Sequence, residues 1–244
     1  MKNGNLKSSN PPIVLVTGSS QGLGAYLAQS FSKQGYYVLL HYRTNKAEAQ
    51  KRAKKIKAKG IFQADLSSSV DVQRMAKQIK KEHGRLDCLV NNAGVYHARN
   101  LAQLSDQEWF EGLNSTASAV FLMTKALLPL LRRSASPRVI NIGDSSCDRP
   151  TARDLAMGYH VGKTGVLMLT KSFAQSEARH GVTVNMVSPG WLENSLGKLS
   201  KKEIPAGRYG RFQDIANVVE FLIKPESNYI NGSNIIVSGG WNLR

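Results

Sequence analysis

Tyr159 and Lys163 stand four residues apart in Tyr159-His-Val-Gly-Lys163, within a stretch patterned as a helix. Residues at i and i+4 share one helix face. Free tyrosine titrates at about 10, and a neighbouring ammonium stabilises the phenolate and lowers that value. A phenol so placed can protonate a carbonyl oxygen as hydride reaches its carbon, or work in reverse. Near the start, Ile13-Val-Leu-Val-Thr-Gly-Ser-Ser-Gln-Gly-Leu-Gly24 runs from an apolar strand pattern into three glycines. Gly18, Gly22 and Gly24 let a pyrophosphate approach the backbone, and the helix that follows aims its free N–H groups at it. Either feature alone has an ordinary explanation, a helix face or a tight turn. Together they point to hydride transfer from a dinucleotide.

The end of the second apolar run reads Leu40-His-Tyr-Arg-Thr-Asn45. A dinucleotide site that holds a free ribose 2′-hydroxyl places an acid about 20 residues beyond the glycines. No acid is present here, and Arg43 offers a guanidinium fork suited to a 2′-phosphate. NADP(H) is therefore the expected cofactor.

Strand patterns fall at 13–17, 37–41, 61–64, 88–91, 139–143, 183–188 and 235–238. Helical patterns lie between them, near 23–34, 46–59, 69–83, 106–132, 155–180 and 213–223. Ser105-Asp-Gln-Glu108 reads as a capping box opening the fourth helix. Gly35 and Gly60 read as stops after helices. The strands are rich in Val, Ile and Leu without alternation, as expected when both sheet faces are covered. Alternating strands and helices then predict an α/β fold, a single doubly wound parallel sheet of about seven strands with helices on both faces.

The chain has 244 residues, 41% of them hydrophobic and 20% charged, enough for one sizeable core. Residues 1–10 read as a disordered tail ahead of a domain over 11–244. Their lack of an apolar run argues against a signal peptide, and no run is long enough to span a membrane, so a cytoplasmic location is expected. Cys88 and Cys147 have no metal-ligand spacing, and no metal is expected. The net charge of +16 raises the question of nucleic acid. Its densest stretch, 46–59, lacks aromatic or glycine interleaving and reads as a solvated helix face. The field is still suited to attracting an anionic cofactor or substrate.

From residue 13 to 240 the chain resembles the short-chain dehydrogenase/reductase family. Thr17-Gly-Ser-Ser-Gln-Gly-Leu-Gly24 is similar to its glycine loop, Asp65-Leu66 to its adenine-side pair, and Asn91-Asn-Ala-Gly94 to its fourth-strand motif. Tyr159-x-x-x-Lys163 is similar to its active-site pair, and Ser188-Pro-Gly190 to its loop beside the nicotinamide. The resemblance implies a cofactor held by Gly18, Ser20, Gln21, Gly22, Leu23, Gly24, Arg43, Asp65, Leu66, Asn92, Ala93, Gly94, Pro189 and Gly190, with Tyr159 and Lys163 reaching its nicotinamide end. It implies Asn114 as the asparagine that orders a relay water. It also implies a homotetramer built through the long fourth and fifth helices and the C-terminal segment.

One family position stays open. The family carries a serine after the fifth strand, where this chain reads Val139-Ile-Asn-Ile-Gly-Asp-Ser-Ser-Cys147. Counting from the strand gives Asp144; counting 13 back from Tyr159 gives Ser146. The mismatch predicts a small insertion in the loop. A serine fits the reduction of 3-oxoacyl thioesters. An aspartate resembles the pteridine reductases, as do Tyr96, Leu40-His-Tyr-Arg-Thr44 and the C-terminal Gly239-Gly-Trp-Asn-Leu-Arg244. Substrate contact is expected from Tyr96 and Trp191, with Leu192 and Leu196 in the segment that would cover the site. The expected small-molecule substrate is thus a carbonyl compound or a pterin. A protein of this fold that binds cofactor or nucleic acid without turnover is the alternative of another class.

Overall fold

The computed structural model describes residues 11–149, 151–195 and 199–241. The expected tail at 1–10, Leu196 and the last three residues lie outside them.

The seven apolar runs become strands β1 (Ile13–Val16), β2 (Tyr37–Tyr42), β3 (Gly60–Gln63), β4 (Cys88–Asn91), β5 (Arg138–Ile142), β6 (Thr183–Pro189) and β7 (Asn234–Val237). They form one sheet in the order β3-β2-β1-β4-β5-β6-β7, with every neighbouring pair parallel. Helices α1 (Gly22–Lys33), α2 (Lys46–Ile56), α3 (Ser69–His83), α4 (Asp106–Leu113), α5 (Ala119–Leu131), α6 (Met157–Glu177) and α7 (Phe212–Leu222) supply the crossovers. Successive strand residues feed opposite cores. Leu15, Leu39 and Val139 pack with Met75, Ile79, Met123 and Leu127 on one face. Val14, Val16, Val38 and Ile140 pack with Leu27, Phe31, Ile215 and Val219 on the other. Strand order reverses between β1 and β4, which opens a crevice at the carboxyl ends of the strands.

Two local expectations need correction. Gly35 does end α1 with a positive φ of 86°, but Gly60 does not end α2. That helix stops at Lys57, itself left-handed at φ 53°, and Gly60 opens β3. The stretch 106–132 is not one α-helix. Its capping box at Ser105 and Glu108 is present, but a wide π turn over Asn114–Ser118 separates α4 from α5. Hydroxyls that bond back to the chain accompany it: Thr116 Oγ1 donates to the Gly112 carbonyl at 2.7 Å, and Ser115 Oγ to the same carbonyl at 3.3 Å. Such competition with backbone bonding bends helices, and isolated π turns cluster at functional sites.

The turn packs against α6, the helix that carries Tyr159 and Lys163. A Cβ built on Gly162 would sit 1.8 Å from Thr116 Oγ1, and one on Gly158 2.4 Å from the Trp109 carbonyl oxygen. Gly162→Ala is therefore expected to cost at least about 1–3 kcal/mol, the range for overpacking. Urea denaturation checks this, and Thr116→Ala in the same chain should recover part of the loss.

Candidate active site

The glycine loop is held from two sides. Asn92, just past β4, donates through Nδ2 to the carbonyls of Thr17 (2.9 Å) and Gly18 (3.2 Å). Thr17 Oγ1 in turn accepts from the backbone N–H groups of Asn92 and Ala93. On the other side, buried His41 accepts the Gly18 N–H on Nδ1 at 3.0 Å, while its Nε2 lies 3.1 Å from the Ala64 carbonyl. That carbonyl can only accept, so Nε2 carries the proton and Nδ1 is free to receive one. Gly18 and Gly22 have φ of 61° and 58°, in the region that favours glycine. At Gly24 a Cβ would collide with the Gly18 carbonyl at 2.4 Å. Ser20, Gln21 and Gly22 face outward ahead of α1, whose N-cap residue Gln21 makes no side-chain cap. The free N–H groups of α1 thus point at an open, glycine-lined cradle, which fits a pyrophosphate.

His41 was not singled out in the sequence as part of this loop. Burial pushes its pKa down to about 4, so it is neutral in the fold. A base with a depressed folded value contributes stability that is present above its unfolded value of 6.5 and lost as pH falls towards 4. The stability advantage of the wild type over His41→Leu should shrink by about 2 kcal/mol between pH 7 and pH 5. Denaturation of both proteins across that window tests it.

On the adenine side, Asp65 accepts from the N–H and Oγ of Ser67 at 2.9 and 2.7 Å, and the Ser67 contacts hold its carboxyl below the usual range. Leu66 is buried beneath. Arg43 lies at the end of β2, half-exposed, and Nη1 pairs with Glu111 Oε1 at 2.8 Å. The other oxygen of Glu111 is 2.9 Å from His97 Nε2. This carboxylate, 68 residues away along the chain, holds the guanidinium beyond the end of β2.

The Tyr159–Lys163 pair lies in a cleft of about 680 Å³ lined by residues from the ends of β4, β5 and β6 and the start of α6. Lys163 is only 3% exposed and donates to the Ile142 carbonyl at 2.6 Å. Its Nζ lies 5.3 Å from the centre of the Tyr159 ring. Burial pushes the lysine down to about 8, partly offset by Asp144 and Cys147. The expectation that Lys163 lowers the tyrosine is reversed here. Burial first, then the charge of Asp144, holds Tyr159 well above its ordinary value. Tyr159 therefore keeps its proton at neutral pH.

The exit of β5 brings both candidates for the serine position to one wall. Gly143 N–H donates to Val187 O and Ser145 N–H to Pro189 O, which ties the exit to β6. Asp144 Oδ1 accepts from the Ser146 N–H at 2.9 Å and from its hydroxyl. Asp144 and Ser146 act as one hydrogen-bonded unit, and the carboxylate is the member whose charge reaches Tyr159, Tyr96 and His160.

Tyr96 meets Tyr159 edge-on at 5.2 Å, and His160 lies 5.5–6.0 Å from both rings. Trp191 lines the cleft edge-on to Trp241 at 5.7 Å. Pro189 and Gly190 line it too, and a Cβ on Gly190 would be 2.8 Å from Ser238 Cα. Leu192 lines the cleft and also packs into the core. Asn114 is placed elsewhere: its Oδ1 accepts from Ser118 Oγ on the same turn, and it is not part of the cleft wall. Thr116, on the same turn, packs behind Gly94 and against Gly162 of α6. A Cβ built on Gly94 would lie 3.4 Å from Thr116 Cγ2, 3.6 Å from Tyr159 Cε2 and 3.8 Å from Lys163 Nζ. His160 and Arg153 line the cleft and were missed by sequence reasoning, as was Thr116, buried behind Gly94 and Gly162. Thr116 and Arg153 match no motif, and His160 is masked by the motif it sits in. Among the described residues no cluster of three or more His, Cys, Asp or Glu side chains could hold a metal, and no helix is long and apolar enough to cross a membrane.

A family model described as enoyl-(acyl carrier protein) reductase matches residues 18–242. The chain is 35% identical over 238 residues to the 3-oxoacyl-(acyl-carrier-protein) reductase FabG of Staphylococcus aureus, covering 93% of this chain and 96% of the relative. The protein of the same name from Haemophilus influenzae is 33% identical over 237 residues, covering 93% and 97%.

Proposed function

The chain belongs to the short-chain dehydrogenase/reductase family, and from that premise we propose that this oxidoreductase is an NADPH-dependent reductase of carbonyl compounds of the 3-oxoacyl-thioester type. The observation that carries the reading is that Tyr159, buried Lys163 and the hydrogen-bonded Asp144–Ser146 pair line the wall of one cleft. A nicotinamide nucleotide, when bound, supplies the hydride. The glycine cradle, Asp65, Leu66, Asn92–Gly94, Pro189 and Gly190 would hold it, and Arg43 would read a 2′-phosphate, since β2 ends without an acid to repel one. Tyr159 Oη orients the substrate carbonyl, and the Ser146 hydroxyl joins it once its proton turns from Asp144 to the substrate oxygen. Tyr159 gives its proton to the oxygen, and Lys163 stabilises the phenolate left behind. Trp191 and Leu192 keep water from that end of the cleft.

Relatives named for 3-oxoacyl reduction, matched along nearly their whole length, support this substrate class. A second reading is favoured by one feature. Asp144 stands two residues past Ile142, the end of β5, and lines the cleft with the Tyr96, Tyr159 and His160 rings, where a carboxyl group would suit protonation of a ring nitrogen, as in a pteridine reductase. Absorbance at 340 nm, followed with NADPH and a 3-oxoacyl thioester, dihydropterin or dihydrofolate in parallel, distinguishes them. Thioester turnover is expected. Turnover of the pterins alone would replace the first reading with the second. NADPH binding without turnover, with salt-sensitive binding to DNA, would sink both. Assembly as a tetramer through α5 and α6 is part of the proposal, since Phe121 and Met168 are exposed there; sedimentation velocity measures it.

A further inference from the structure

The loop from β5 to α6 carries a charge that the proposed reaction does not use. Arg153 lines the cleft with Tyr96, Asp144, Tyr159 and His160. Its Nη2 is buried and has no hydrogen-bond partner. Two further buried polar atoms in the same wall are equally without partners, Trp191 Nε1 and Ser145 Oγ. Buried unpaired donors are rare in folded proteins and call for a specific explanation. The guanidinium and indole N–H groups can only donate, so a ligand that completes them must bring acceptor oxygens.

The loop is fastened in place. Leu101 N–H donates to Asp154 O at 2.9 Å, Ala156 N–H donates to Arg99 O at 3.0 Å, and Asn100 and Leu155 form an antiparallel bridge. Ala156 ends this tie in the left-handed region at φ 52°, a conformation costly for a residue with a Cβ. Arg153 is thus set immediately before an anchored segment, four residues ahead of Met157, the first residue of α6.

The cleft has a polarity. Asp144 acts on Tyr159, Tyr96 and His160 alike, whereas Arg153 acts on Tyr96 and His160 and is absent among the charges that act on Tyr159. Both charges line the same cleft, the carboxylate at the exit of β5 bonded to Ser146 and the guanidinium on the loop that leads to α6.

Building on the reductase reading, we propose that Arg153 is a substrate-binding residue that selects carbonyl substrates carrying a free carboxylate besides the reacting carbonyl. A guanidinium pairs with a carboxylate through two parallel N–H···O bonds, and the net charge of +16 draws such an anion towards the cleft. Trp191 Nε1 supplies a further donor to an acceptor oxygen on the same substrate.

The probes are 3-oxobutanoate and 5-oxohexanoate, each compared with its methyl ester. KM comes from NADPH oxidation, and Kd from quenching of tryptophan fluorescence in the presence of NADP⁺. Wild-type protein is expected to favour the acid over the ester by about ten-fold or more in at least one pair. Arg153→Gln should abolish that preference, as a rise in KM and Kd for the acid and not for its ester, and Arg153→Lys should restore part of it. Equal affinity for acid and ester in both pairs overturns the proposal, as does a preference that survives Arg153→Gln. Thioester turnover with no acid preference would remove the subsite and keep the reductase. Acid binding lost in Arg153→Gln, with no NADPH oxidation on any probe, would keep the subsite and remove the reductase.

Discussion

Tyr159→Phe is expected to lower kcat by about 10³-fold, within the range assigned to a positioned general acid, while the Kd for NADPH changes less than about three-fold. The substitution removes one oxygen and leaves the ring. The edge-on contacts with Tyr96 at 5.2 Å and His160 at 5.5 Å are contacts of the ring itself, so packing is preserved. What is lost is the proton. Burial and the Asp144 carboxylate both hold the phenol above its ordinary pKa, which makes the neutral form the resting state and an acid role the natural one at pH 7. Reduction then needs the cation of Lys163 close by when the phenolate forms. Single-turnover absorbance measurements give the rate, and fluorescence titration gives the Kd. An unchanged rate would mean that the proton comes from another group, of which Asp144 and His160 are nearest in the cleft.

How much of this was legible in the sequence follows from the range of the interactions involved. The seven strands, the glycine loop and the Tyr159–Lys163 pair are written in local patterns: apolar runs, a strand-to-helix turn and a four-residue spacing. The structure reproduces each within a residue or two. The π turn was not legible, because one widened turn barely disturbs an apolar pattern 27 residues long. Within the same turn Asn114 bonds to Ser118, and Thr116 packs against Gly162 of α6. Glu111 beneath Arg43, and His41 beneath Gly18, depend on contacts spanning 68 and 23 residues, which no local pattern records. The disagreement between Asp144 and Ser146 had a physical source. The two side chains are hydrogen-bonded to each other on one wall, so each count found half of a joint arrangement.

Lys163→Met is expected to abolish measurable turnover, by at least about 10²-fold, and yet to melt no lower than the wild type. The two effects have one cause. An ammonium with 3% exposure resists charging, and burial has moved it from 10.5 to about 8. A group whose folded pKa lies below its unfolded value binds its proton more weakly in the fold. At pH 7 that difference costs about 3 kcal/mol of folding free energy. The cost falls away as pH rises from 8 to 10.5, because the unfolded chain then holds the proton and the folded one does not. Against the gain from removing the charge stands the 2.6 Å bond to the Ile142 carbonyl, whose loss leaves a buried acceptor unpaired at about 1–3 kcal/mol. The balance lies between no change and a gain of about 2 kcal/mol. Denaturation of both proteins at pH 7, 8.5 and 10 isolates the lysine, since other titrating groups cancel in the difference. The wild type should close on the variant as pH rises. A variant that unfolds more readily than the wild type at every pH would mean that Lys163 is held for structure, with its charge compensated in place. A stable, inactive variant would mean that the fold tolerates a destabilising cation because the reaction requires it.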